Sequence, residues 1–136
     1  MAPERLAVVD GANVAYAEMT PDDHPRVANL EAVRAALEAR GYRVVVIVDA
    51  SLRHRVDDPE RLEELIDEGL VHQAPAGTDA DYFLLETADR SGAIVVSNDT
   101  FGDYRDDYPW IAERRLPLMI IHGHVVLYDE EVASDA

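Results

Sequence analysis

The chain predicts an α/β doubly wound sheet, mostly parallel, with helices on both faces and an antiparallel hairpin at its C-terminal edge. Three observations carry that reading. Short runs of β-branched residues alternate with helix-spaced apolar stripes; three of those runs end at or just before an aspartate; and 136 residues, 48% of them apolar, are enough to enclose one core. A single domain over residues 1–136 is expected.

The elements follow in order. Leu6-Ala-Val-Val9 is a short buried strand running into Asp10-Gly11, and Val44 to Val48 is another running into Asp49. Between them Leu30, Val33 and Leu37 keep helical spacing, with Gly41 as a stop. Asp58-Pro59 opens a capped helix whose stripe is Leu62, Leu65 and Ile66, ending near Gly69. Val71 to Ala74 is a short third strand. Thr78 caps the next helix, with Phe83, Leu84 and Ala88 on one side, and Ala93 to Val96 is the fourth strand. Trp110 to Arg115 reads as helical. Leu118–Ile121 and Val125–Leu127 flank His122-Gly123-His124 as a terminal hairpin, and residues 130–136 form a frayed tail.

Composition narrows the classes. No run approaches the ~20 apolar residues of a bilayer-spanning helix, and no apolar signal-peptide core follows Met1 to Arg5, so a soluble cytoplasmic protein is expected. The absence of cysteine removes disulfides, cysteine-ligated zinc and thiol nucleophiles. Twenty-eight acids against 12 bases, all arginine, leave a formal net charge of -16. Such a surface repels polyanions at ordinary ionic strength, whereas at about 1 M salt the Debye length falls to ~3 Å and screens the repulsion. An acid-rich, lysine-free chain fits a salt-loving host; a high-GC genome also favours arginine over lysine.

Three acidic islands fall at the expected strand ends and at one helix start: Asp10-Gly-Ala-Asn13, Thr78-Asp79-Ala-Asp81, and Asp99 with Asp103 in Ser97-Asn-Asp-Thr-Phe-Gly-Asp103. Each has an ordinary structural reading, as a strand-ending turn or a helix cap. Independent turns, however, have no reason to converge at one end of one sheet, where ligands of such folds bind. Carboxylates within ~4 Å repel by about 4 kcal/mol per pair at an effective dielectric of 20, so a cluster binds a cation or keeps protons. Oxygen-only ligands suit Mg²⁺ or Mn²⁺.

The segments Val8-Val-Asp-Gly-Ala-Asn-Val14, Thr78-Asp-Ala-Asp81 and Val95-Val-Ser-Asn-Asp-Thr-Phe-Gly-Asp103 together resemble the PIN-like NYN ribonuclease domain of the Regnase type, from about Leu6 to Leu127. The resemblance implies a metal-dependent endoribonuclease acting on single-stranded or loop RNA. It implies a site in which Asp10, Asp81, Asp99 and Asp103 hold Mg²⁺ or Mn²⁺, with Asn13 as their polar neighbour. Dimerisation is implied as well. The family pattern places two adjacent acids at the helix start, whereas here Ala80 separates Asp79 from Asp81, and the eighteen-residue spacing to Asp99 favours Asp81. Ala74-Pro-Ala-Gly77 replaces a basic stretch, Leu52-Arg53 replaces a Trp-Arg pair, and the chain carries no cysteine-rich zinc finger.

Arg53 and Arg55 follow the second strand, on the same rim as the acids, and are candidate phosphate contacts; a solvated loop is the alternative. Arg114-Arg115 serves phosphate or a helix end equally well. His122 and His124 read as hairpin residues more readily than as metal ligands, Trp110 as packing, and Tyr104 and Tyr108 as open. Two rival functions stand beside the ribonuclease: a DNA-directed nuclease of the wider PIN-like group, and a catalytically weak nucleic-acid-binding or interaction module.

Overall fold

A computed structural model describes residues 5–128; the tail expected at 130–136 lies outside the described residues. The elements are β1 (Arg5–Asp10), α1 (Gly11–Ala15), α2 (Val27–Ala39), β2 (Tyr42–Val48), α3 (Pro59–Asp67), β3 (Val71–Gln73), α4 (Ala80–Ser91), β4 (Ile94–Val96), α5 (Ile111–Arg114), β5 (Arg115–Leu116), β6 (Leu118–Ile121) and β7 (His124–Leu127). Single 3-10 turns lie at Leu52–His54 and Gly102–Tyr104.

Strands β1 to β5 form one sheet in the order β3-β2-β1-β4-β5, with every neighbouring pair parallel. Period-two alternation sorts their side chains. Ala7, Val9, Val46 and Val96 face a core shared with Leu30 and Leu37 of α2 and Leu62 and Leu65 of α3. Val8, Ile47 and Val95 face a second core with Leu84, Leu85 and Ala88 of α4 and Ile111 of α5. Right-handed crossovers require this split, because β1 to β3 step one way along the sheet and β4 to β5 the other. Leu30 and Leu37, at 1% and 0% exposure, each contribute about 1.5–3 kcal/mol of burial.

The reversal of strand order falls between β1 and β4, so the carboxyl ends of those two strands open a crevice. Asp10 ends β1, and Ser97 to Asp99 follow β4.

Two elements differ from the sequence reading. Trp110 to Arg115 was expected to be helical throughout, yet the helix covers only Ile111–Arg114. Arg115 and Leu116 pair instead with Val95 and Val96, because a partner strand satisfies their backbone groups where a short helix end would not. With that edge taken by β5, the predicted hairpin forms but does not extend the main sheet. It makes a sheet of its own, β6 against β7, and packs Leu118, Ile120 and Leu127 onto the α2 side. Its turn, His122-Gly123, holds both residues at positive φ, the geometry of a two-residue hairpin loop. Both turn amides donate to the Glu18 carboxylate, at 2.6 and 2.9 Å, which assigns this stretch to anchoring. Among the described residues no helix is long and apolar enough to cross a membrane.

Candidate active site

Asp10 is placed by close packing. It ends β1 and caps α1, its Oδ1 accepting from the Asn13 amide at 3.4 Å. The next position must be glycine, since a Cβ on Gly11 would lie 2.4 Å from Val48 Cγ1 and 2.8 Å from the Ile47 carbonyl oxygen. The far end of α1 is tied down by Asn29, buried at 2% exposure, whose Nδ2 donates to the carbonyls of Val14, Ala15 and Glu18. The short helix carrying Asn13, to which the sequence reading assigned no element, is thus held at both ends.

Hydrogen bonds then join the ends of β1 and β4. The Ser97 hydroxyl donates to Asp10 Oδ2 at 2.8 Å and accepts from the Asp99 amide at 3.0 Å. Asp99 Oδ1 accepts from the Phe101 amide at 2.8 Å. Across the crevice, Asn13 Oδ1 accepts from the Asn98 amide at 2.9 Å. Phe101 adopts a left-handed φ of 51°, tolerated because its ring is buried in the second core. Ser97 was absent from the predicted site. Its signal was present in Ser97-Asn98-Asp99, but a serine between a strand and an acid carries no chemistry until its partner is known.

The third acid comes from α4. Thr78 was expected to cap this helix; the cap is Asp79, whose Oδ1 accepts from the Asp81 amide at 3.0 Å. Thr78 is diverted because its hydroxyl donates to the Pro75 carbonyl. Asp79 also accepts from the Tyr104 hydroxyl, and that bond pushes the Tyr104 pKa up to about 12. With Asp79 so engaged, Asp81 is the acid that enters the crevice.

Asp10, Asn13, Asp81 and Asp99 line one open cavity of about 390 Å³ together with Tyr16 and Arg55. A larger hollow of about 440 Å³, around Tyr42, Ile94 and Arg114 at the opposite end of the strands, gathers no such set. Asp103 is exposed on the 3-10 turn beyond Asp99 and does not line the cavity. Arg53 and Arg55 part company. Arg53 turns toward α3, bonding Gln73 and Glu63 at 2.6 Å each. Arg55 faces the cavity, its Nη2 donating to both Asp49 oxygens at 3.1 and 3.0 Å and its Nη1 to the Tyr16 hydroxyl at 3.0 Å. Its Nε is buried without a hydrogen-bond partner. Tyr16 and Asp49 were likewise not among the predicted site residues; Tyr16 lines the cavity itself, and both hold Arg55 there.

Burial raises the Asp10 carboxyl to about 6; the Ser97 hydroxyl opposes that shift, and Asp81 and Asp99 reinforce it. Asp81 is raised by burial first and then by Asp79, Asp99 and Asp49. The acids therefore repel one another across the cavity, as a cation-binding set does before it is neutralised. Among the described residues no three histidine or acidic side chains are drawn close enough to hold an ion as they stand. The donor chemistry nevertheless fits a hard divalent cation, being oxygen throughout, and the one arginine lining the cavity is paired with Asp49 rather than with these acids.

Fold and site together define a doubly wound α/β domain with an acidic cleft at its switch point. Residues 3–134 match the family model of the Zc3h12a-like ribonuclease NYN domain, and the chain belongs to that family of ribonucleases. Among solved structures, nuclear proteinaceous RNase P 2 (PRORP2) from Arabidopsis thaliana is similar, at 20% identity and a TM-score of 0.71 over 91% of this chain and 29% of that one. A second structure of that Arabidopsis protein matches with the same identity and TM-score over 93% of this chain and 30% of its own. At that identity the likeness is one of fold. The chain spans under a third of the length of either.

Proposed function

We propose that this domain is a divalent-metal-dependent endoribonuclease that hydrolyses phosphodiester bonds of single-stranded or loop RNA. The observation that carries the reading is the convergence of Asp10, Asp81 and Asp99, from three separate elements, on one open cavity. RNA as the substrate follows from the family.

Asp10, Asp81 and Asp99 are the residues that would hold Mg²⁺ or Mn²⁺, with Asp103 acting from the rim. When bound, such an ion supplies Lewis acidity, activating a water and neutralising charge on a phosphoryl oxygen. The chain's own part is positioning. Ser97 orients the Asp10 carboxylate, and Asn13 keeps the β4 loop against α1 through the Asn98 amide. Arg55 offers a guanidinium beside the acids that can exchange Asp49 for a substrate phosphate. Arg53, held by Gln73 and Glu63, acts through long-range charge instead.

The test is incubation of labelled RNA and sequence-matched DNA with the protein in Mg²⁺, Mn²⁺ or EDTA. Internal cleavage of RNA, dependent on either metal and abolished by EDTA, is the expected result. Preferential cleavage of DNA would move the domain to the DNA-directed rival. Tight binding without turnover at saturating Mn²⁺ would make it a binding module.

A further inference from the structure

A second, chemically different hollow adjoins the acidic cleft. It has a volume of about 260 Å³ and lies between α4 and the β2–β3 edge of the sheet. Val45, Ile47 and His72 form its sheet side, and Phe83 and Thr87, one helical turn apart on α4, form its wall, with Pro75 at the rim.

Register places it beside the acids. Ile47 is the direct partner of Asp10 across β1 and β2, and His72 is the direct partner of Ile47 across β2 and β3. Partners in a parallel sheet point to the same face, so Asp10, Ile47 and His72 stand in one row about 4.8 Å apart per strand. On the helix side Phe83 lies two residues after Asp81 in α4, so the two leave the helix on different faces and Phe83 turns toward the β2–β3 edge while Asp81 lines the cleft. A phosphate bound at a cation held by Asp10 and Asp81 would have Ile47 of the hollow one strand away, within a nucleotide's reach.

Its lining is also unusual for this chain. In a protein with 28 acids, none of the residues lining the hollow is acidic, and His72 is the one titratable side chain among them. Phe83 leaves 37% of its surface in solvent, although its neighbours Leu84 and Leu85 are buried. A polyanion approaching a carboxylate-lined cleft is repelled at its phosphates but not at its bases, and an exposed aromatic ring over an aliphatic floor is what an unstacked base needs. His72 is exposed, and the Thr87 hydroxyl, already donating to the Phe83 carbonyl at 2.7 Å, keeps its lone pairs available.

We infer that the hollow between Phe83, Ile47 and His72 is a nucleobase-binding subsite. It takes the base of a nucleotide next to the phosphate held at the acidic cleft, with Phe83 as the stacking ring and His72 and Thr87 at the polar edge. The inference rests on the nuclease reading for the direction of the strand, but base binding itself does not depend on cleavage.

The experiment uses the whole chain at fixed Mg²⁺. Methyl resonances of Val45 and Ile47 are followed while the four nucleoside monophosphates, or ribose 5-phosphate, are added. The nucleotides should shift both residues, ribose 5-phosphate should not, and Phe83→Ala should weaken the interaction roughly tenfold or more, as loss of one stacking ring does. Phe83 is partly exposed, so the variant should fold; Phe83→Trp should retain binding and guards against a general loss of structure. Equal shifts with ribose 5-phosphate, no shift at either residue, or full affinity in a folded Phe83→Ala overturns the subsite. RNA cleavage by the wild-type chain is scored separately. Cleavage without base-dependent shifts sinks the subsite alone, whereas base-dependent shifts without cleavage sink the nuclease reading and leave the subsite standing.

Discussion

The two sides of the cleft are built differently. On the β1–β4 side, Asp10, Asn13, Ser97 and Asp99 are joined in one hydrogen-bonded set, and both Asp10 and Ser97 are buried. On the α4 side, Asp81 stands half-buried after an exposed stretch from Pro75 to Asp79, and Arg55 faces it from a salt bridge with Asp49 that is open to solvent. The first side is pre-organised, because every bond in it would have to break for an acid to move. The second has partners that a substrate or a cation can exchange. Rigid positioning of the chemistry thus sits opposite adaptable contacts for the ligand.

Replacing an acid on the rigid side should give the largest effect. Asp99→Asn is expected to lower metal-dependent RNA cleavage by at least about 100-fold while leaving the fold as stable as before or slightly more so, since one member of a repelling set is neutralised. Full activity in the folded variant would place the chemistry elsewhere.

The Asp10 carboxyl makes the same contrast through pH. Its folded value, raised by burial to about 6, lies above the ordinary 3.8, so the folded chain holds this proton more tightly than the unfolded one. The associated stability is fully present below about pH 4 and is lost as pH rises through about 6, amounting to on the order of 3 kcal/mol. In EDTA, denaturant titrations between pH 4 and 7 should show that loss, and Asp10→Asn should flatten it and raise stability at pH 7 by about 1–3 kcal/mol. A wild-type profile no steeper than that of the variant would mean that Asp10 is less desolvated than its burial implies.

On the adaptable side the ranking of neighbours is the sharper test. Asp81→Asn should reduce cleavage about tenfold more than Asp79→Asn, which keeps the helix cap because the asparagine Oδ1 can accept from the Asp81 amide in the same way. A reversed order in cleavage assays would make Asp79 the ligand and Asp81 the bystander. For the arginines, Arg55→Ala should weaken RNA binding evenly across sequences and reduce its salt slope by about 1, with Arg53→Ala changing it less. Equal effects in binding titrations would show that orientation at this rim does not matter.

The smallest expected effect is the general one. Self-repulsion from a net charge of -16 should make melting temperature and initial cleavage rate rise together from low salt toward molar KCl at fixed excess Mg²⁺. A melting temperature flat in salt, with rates falling throughout, would reject the salt-loving reading.

Much of the frame was written locally. The runs at Leu6–Val9 and Val44–Val48, the stripe Leu30-Val33-Leu37 and the Asp58-Pro59 helix start each contain their own instruction, and each appears where expected. Asp10, Asn13, Asp81 and Asp99 were legible for a related reason: a strand end or helix start fixes which end of the sheet a residue occupies, and that is enough to bring these four together. What the sequence could not contain was decided by partners distant along the chain. Arg115 and Leu116 became a strand because Val95 and Val96 offered an unpaired edge, against a helical local pattern. One difference was local all the same: Asp79 replaced Thr78 as the cap because the Thr78 hydroxyl met the Pro75 carbonyl three residues back. Ser97 entered the site through a hydrogen bond spanning 87 residues, and Tyr16 holds Arg55 there, 39 residues away. Spacing along a chain reports face and end, which are periodic properties of the backbone; which side chain meets which across the fold is set only when the elements pack.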